Sequence, residues 1–206
     1  MVRRGTSRDI GRSRNHRNRA GMELVVSIAT PCGSASRNRI GTVTGSIVQI
    51  NISPGGVPKR PIAEAEVTPG GIVGDSWAHP DIHGGPNQAV LLITSEGIGQ
   101  LIAQGYPVFP GALGENLTTI GLDRRQMRIG QRYRVGEVML EITKMRTPCT
   151  TLDVYGASIK QAVYDARVNA GDASTPRWGL AGFYARVLRS GFIRPKDIIG
   201  LVDCVV

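Results

Sequence analysis

The chain has 206 residues, enough for one large domain or two small ones, and enough to bury a core without disulfide staples. Hydrophobic residues make up 41% and charged residues 20%, which excludes a disordered or fibrous protein. The 27 glycines and 12 prolines, set against 5% aromatic residues, favour many short strands joined by turns over a helical bundle. The longest aliphatic run, residues 89–93, falls far short of the ~20 residues a spanning helix needs, so a transmembrane helix is excluded.

The formal net charge of +9 is unevenly spread. Residues 1–39 hold nine arginines against Asp9 and Glu23, whereas the following 167 residues carry 16 basic and 14 acidic side chains. The first 39 residues are rich in Arg, Asn, Ser and Gly and lack periodicity, so they read as a basic tail preceding a folded domain at 40–206. Deleting the tail is expected to leave the melting temperature nearly unchanged. Its apolar stretch, residues 24–29, is shorter than the roughly 7–15 residues of a signal-peptide core. Arginines of this kind can neutralise phosphates, yet no aromatic residues interleave to stack on bases. A nucleic-acid role therefore rests on the tail alone. The three cysteines, Cys32, Cys149 and Cys204, form no CxxC pair, which points to a reduced, cytoplasmic protein.

Within the domain, Val48, Ile50 and Ile52 alternate with Gln49 and Asn51, the period of a half-buried strand. It ends in the Pro- and Gly-rich turn and loop at 53–59. Residues 88–94 read as a buried strand. Ser95 caps a short helix carrying Ile98, Leu101 and Ile102, closed by Gly105. Strands follow at 117–120, 132–135 and 138–143, the last two a hairpin around Gly136. Ile159, Ala162, Val163 and Ala166 mark one amphipathic helix, and further strands run over 183–188 and 198–206. Mostly β structure with one or two helices and long loops predicts a closed or nearly closed barrel.

Three loops carry residues able to do chemistry. The stretch 74–86 holds Asp75, His79, Asp81 and His83. The four-residue spacing of its histidines would suit a helical metal face, but Pro80 and Gly84-Gly85 exclude the helix. It is either an active-site loop or a loop tied by Asx turns. The stretch 111–117 sets Glu115 and Asn116 at the mouth of a strand among glycines. Those glycines allow close backbone approach to a ligand, or simply a tight turn with both side chains solvated. Cys149 follows Arg146-Thr147-Pro148 at a strand end, where a nearby cation favours the thiolate, the form that attacks or binds soft metals. A small buried hydrophobe is the other reading of that cysteine.

Together these pieces stand in one order: residues 51–59 ending at Lys59, Gly74-Asp75, His83-Gly84-Gly85-Pro86, Gly114-Glu115-Asn116-Leu117, Arg146-x-Pro148-Cys149, and the 178–188 stretch from Trp178. This set resembles the MOSC family, stand-alone relatives of the C-terminal domain of molybdenum-cofactor sulfurases, over about residues 42–206. The resemblance implies a barrel that binds the molybdenum cofactor (molybdopterin), with Cys149 as metal ligand or persulfide carrier. His83 and Asp75 are then further catalytic candidates, and Lys59, Glu115, Asn116 and Arg146 cofactor-binding ones. Sulfurases also carry a pyridoxal-phosphate domain, for which this chain has no room. What remains is sulfur transfer, cofactor carriage or reduction of N-hydroxylated compounds, the last calling for an electron-donor protein. Two competing expectations are a non-catalytic binding module whose tail contacts nucleic acid or an acidic partner, and a thiol hydrolase using Cys149 with His83. On the leading reading, His83, Asp75, Glu115, Asn116 and Cys149 gather around one cavity.

Overall fold

The computed structural model describes residues 40–77 and 84–202. The tail, Cys32, His79, His83 and Cys204 lie outside the described residues. The strands are β1 (Ile40–Ile52), β2 (Arg60–Ile62), β3 (Ala65–Thr68), β4 (Gly71–Ile72), β5 (Val90–Thr94), β6 (Leu117–Ile120), β7 (Arg132–Val135), β8 (Val138–Met145), β9 (Phe183–Arg189), β10 (Gly191–Ile193) and β11 (Ile198–Val202). The helices are α1 (Ser95–Ala103), α2 (Ile159–Val163) and α3 (Ala166–Asn169). None of the helices is long and apolar enough to cross a membrane.

Seven strands close on themselves in the order β11-β7-β8-β9-β5-β6-β1, because β11 pairs back onto β1. Closure removes the exposed sheet edges that invite aggregation. β2 extends the end of β1, and β10, β3 and β4 form a small separate sheet. The pairings are antiparallel except β5 with β6. A parallel pair needs a crossover connection, and α1 with the loop after it supplies one.

Side-chain alternation sorts the residues of each strand between two cores. Val90 and Leu92 of β5 face inward with Ile47, Ile50, Tyr133, Leu140, Phe183 and Ala185, filling the barrel. Ile93, the next residue along, faces outward and packs with Ile98, Leu101, Leu113, Leu152 and Ile159, a second core between barrel wall and helices. All five β5 residues are therefore buried, which accounts for its unbroken apolar run.

Several expectations meet the structure with small differences. The α1 cap is Thr94 rather than Ser95, since the Thr94 side chain accepts from the Gly97 N–H. The expected single helix near 159–166 is two. Tyr164 is extended, and Asp165 accepts the Val168 N–H at 2.9 Å, starting α3 afresh. The loop leading into β9 is tied down by Arg124, a buried cation whose guanidinium reaches the carbonyls of Trp178 and Pro176 and the Gln100 amide.

Candidate functional site

Where β8 ends and β9 begins, on the outer face of the barrel wall, lies a cavity of about 60 Å³. Tyr184 and Leu91 stand opposite each other in register and line its wall. The rest of the lining comes from loops at the same end of the barrel: Gly56, Val57 and Lys59 after β1, Ser76 and Trp77 after β4, Gly114 and Asn116 before β6, and Arg146, Cys149 and Thr151 after β8.

A hydrogen-bond network locks these loops together. Asn116 closes the space between β1 and β5: its carbonyl oxygen accepts the Leu91 N–H at 3.1 Å, and its amide donates to the Asn51 carbonyl at 3.2 Å and to Asp75 Oδ2 at 2.8 Å. Asp75 also accepts the Ser53 N–H at 2.9 Å and pairs with the Lys59 ammonium. The pair is withdrawn from water, the two side chains being 7% and 3% exposed. Burial pulls the Lys59 pKa below its ordinary value, even against the attraction of Asp75.

Glu115 is fully buried rather than solvated. One carboxylate oxygen accepts the Gly111 N–H at 2.6 Å and the Thr118 hydroxyl at 3.0 Å, while Oε2 is buried without a partner. Burial pushes its pKa up, and the bonds from Gly111 and Thr118 and the charge of Arg146 only partly offset this. The loop can approach so closely because Gly111 has φ +92°, and a Cβ there would lie 2.3 Å from the Lys59 carbonyl oxygen.

Arg146 is fixed by its backbone N–H to the Gly182 carbonyl at 3.0 Å, and its side chain is buried. Its Nε and one Nη are buried without any partner. Leaving such donors unmet costs about 1–3 kcal/mol each in a finished interior, more for charged groups. Cys149 is half-buried on the same wall. Burial alone would push its thiol up, but hydrogen bonding from Thr151 and the Arg146 charge outweigh it, and the net shift is downward. The Tyr184 phenol is pushed up by burial and keeps its proton.

The structure thus brings Lys59, Asn116, Arg146 and Cys149 to one cavity, with Asp75 and Glu115 behind its wall. His83 lies outside the described residues. Tyr184, Thr151 and Leu91 are among the lining residues that the sequence did not single out. Tyr184 and Leu91 owe their place to long-range strand register, which leaves no local mark in sequence. Among the described residues no group of three or more His, Cys, Asp or Glu side chains could hold a metal ion.

The fold and site together define a closed seven-strand β-barrel protein that carries a thiol and unmet cationic donors at one end. The MOSC domain model matches residues 79–200, and the chain belongs to this family. It is 30% identical over 152 residues to the uncharacterized protein YflK of Bacillus subtilis, covering 72% of this chain and 63% of that one. It is also 30% identical over 141 residues to a protein named Reductase of Gibberella moniliformis, covering 65% of this chain and 23% of that one. The chain thus spans less than two thirds of the length of these relatives. Among solved structures, YiiM from Geobacillus stearothermophilus superposes with a TM-score of 0.58 at 26% identity, over 77% of this chain and 75% of that one.

Proposed function

We propose that this chain binds the molybdenum cofactor at the cavity and acts as a reductase of N-hydroxylated compounds. The observation that carries the reading is Arg146: a residue of the cavity lining with two buried N–H donors without partners, beside a thiol held toward its thiolate. A buried cation with unmet donors asks for an anionic group, and a thiolate is a soft ligand suited to a sulfur-rich metal centre. The residues present therefore fit a cofactor that joins a thiophilic metal to an anionic pterin. The chamber admits only one end of so large a group.

When bound, the cofactor supplies the two-electron redox change. Cys149 would hold the metal, Arg146 and Lys59 would bind the anionic part, and Asn116 would keep Lys59 and Asp75 in register. Val57, Trp77 and Leu91 would exclude water, and Tyr184 would hold a proton at the wall. The relative named Reductase supports this direction of the chemistry, and membership of the MOSC family supports the cofactor.

The test is to express the full chain with molybdate and measure bound molybdenum, pterin and sulfane sulfur, then assay an aromatic hydroxylamine with dithionite as reductant. Stoichiometric metal with turnover is the expected result. Sulfane sulfur on Cys149 without metal would mean a sulfur carrier instead. Protein free of both would refute the reading.

A further inference from the structure

We propose that the outer face of β7, β8 and β9 is a docking surface for an acidic protein that works at the cavity. Arg132, Glu141 and Arg186 stand opposite one another across the three strands, as do Arg134, Met139 and Arg189 in the next rung. Lys144 pairs with Tyr184 one step nearer the cavity. Paired residues point to the same side of a sheet, so five cations share one face, and all five are exposed.

Two carboxylates accompany them. Glu141 sits nearly buried between Arg132 at 2.9 Å and Arg186 at 2.6 Å, and Glu137 at the edge accepts the Phe192 N–H. The other 11 cations and 12 carboxylates of residues 40–206 nearly cancel. The positive excess of the domain is therefore concentrated on this face.

One feature chooses an acidic protein over a nucleic acid. Leu188 is the unmatched residue of a bulge between β8 and β9 and stands 42% exposed among the arginines. An apolar contact ringed by charge is the pattern of a protein interface.

The face is also continuous with the site. Tyr184 lines the cavity two residues along β9 from Arg186, a rise of about 7 Å on the same side of the strand. Lys144 lies over the Tyr184 ring at 5.4 Å. A partner seated on β7–β9 would have its edge at the cavity mouth. On the functional reading above, on which this assignment of role rests, such a partner delivers electrons.

The experiment uses the full chain and flavodoxin, an acidic electron-transfer protein, as the probe, with binding measured at low and raised salt. The variant R134Q/K144Q/R189Q leaves the Arg132–Glu141–Arg186 bridge intact. R125Q/K160Q/R167Q removes three cations from elements that do not pair with β7–β9, so the tail contributes equally to both. Wild type should bind with a steep salt dependence. The face variant should bind at least tenfold more weakly with a shallower dependence, and the control less than twofold more weakly. Failure of wild type to bind, equal losses in both variants, or displacement by a 20-base-pair DNA duplex at lower concentration than flavodoxin itself would overturn the proposal. Molybdenum content measured on the same samples separates the two claims, since a metal-free protein that shows the binding pattern refutes the functional reading alone.

Discussion

Replacing Asp75 with asparagine keeps its volume and removes its charge. In the native site the carboxylate receives the Lys59 ammonium, the Asn116 amide and the Ser53 N–H. An asparagine carbonyl can still accept from Ser53, but its NH₂ then faces two other donors. Lys59, whose side chain is 7% exposed, is left as a buried cation without a counter-ion. Breaking a buried pair from one side costs about 3–5 kcal/mol, which for a domain of this size lowers the melting temperature by about 6–20 °C. The loss depends on pH with a definite sign. Lys59 already has its pKa depressed by burial, and removing Asp75 depresses it further. The unfolded chain then binds more protons than the folded one between the two values, so stability of the variant rises with pH across the alkaline range until the unfolded lysine has titrated. Thermal unfolding of Asp75→Asn between pH 7 and 10 measures this. Adding Lys59→Met should recover most of the loss, because an apolar side chain of similar length needs no counter-ion. A loss below about 1 kcal/mol, independent of pH and not relieved by the second change, would mean that the pair is not desolvated as the geometry requires.

Further outcomes follow from the same site. Iodoacetamide alkylation of Cys149 should show a midpoint pH below that of an ordinary thiol, and Arg146→Gln should raise it by removing the cation. Cys149→Ser should fold normally yet lose bound molybdenum, and full metal retention would remove the thiol from the site. Glu115→Ala should cost about 1–3 kcal/mol by stranding the Gly111 N–H and the Thr118 hydroxyl. Glu115→Gln should be near neutral at low pH and become relatively more stable as pH rises. The raised carboxyl pKa makes the wild-type fold bind more protons than the unfolded chain, so its stability falls from the ordinary carboxylate pKa upward, and glutamine lacks that slope. Gly111→Ala should be strongly destabilising and displace Lys59, visible as reduced cofactor loading, because its Cβ collides with a backbone carbonyl.

The sequence was most informative where a pattern is local. The strand at 117–120 and the hairpin around Gly136 follow from alternation and turn chemistry alone, and they appear as β6, β7 and β8. The split between α2 and α3 is also local, since Asp165 is a good cap, but the apolar spacing of Ile159 to Ala166 hides it. β2, β3 and β10 are three or four residues each, too short for an alternation to show, and β10 pairs with β3 from the far end of the domain, a contact that nothing short-range announces. The site divides the same way. Lys59, Asn116, Arg146 and Cys149 sit in loops whose unusual composition draws notice. Glu115 has the same local look, yet it serves as a buried brace, because what decides its exposure is the distance of Gly111 and Thr118 from its carboxylate. The basic face on β7–β9 exists only through the register of three strands and has no trace in the linear charge pattern.

The closure of the barrel has a consequence for how such a domain can be used. Because β11 zips onto β1 with Ile40 opposite Val202, the chain enters and leaves the barrel through adjacent strands, with paired Cα atoms about 5 Å apart. The first and last described residues of the barrel, Ile40 and Val202, thus lie side by side at the seam. A fold with neighbouring ends can be spliced into another polypeptide as a loop would be, with short linkers and without opening a strand pairing. It should equally tolerate being rejoined at that seam and cut elsewhere, for instance at the exposed Gln104-Gly105 turn after α1. The barrel is in this sense a portable unit.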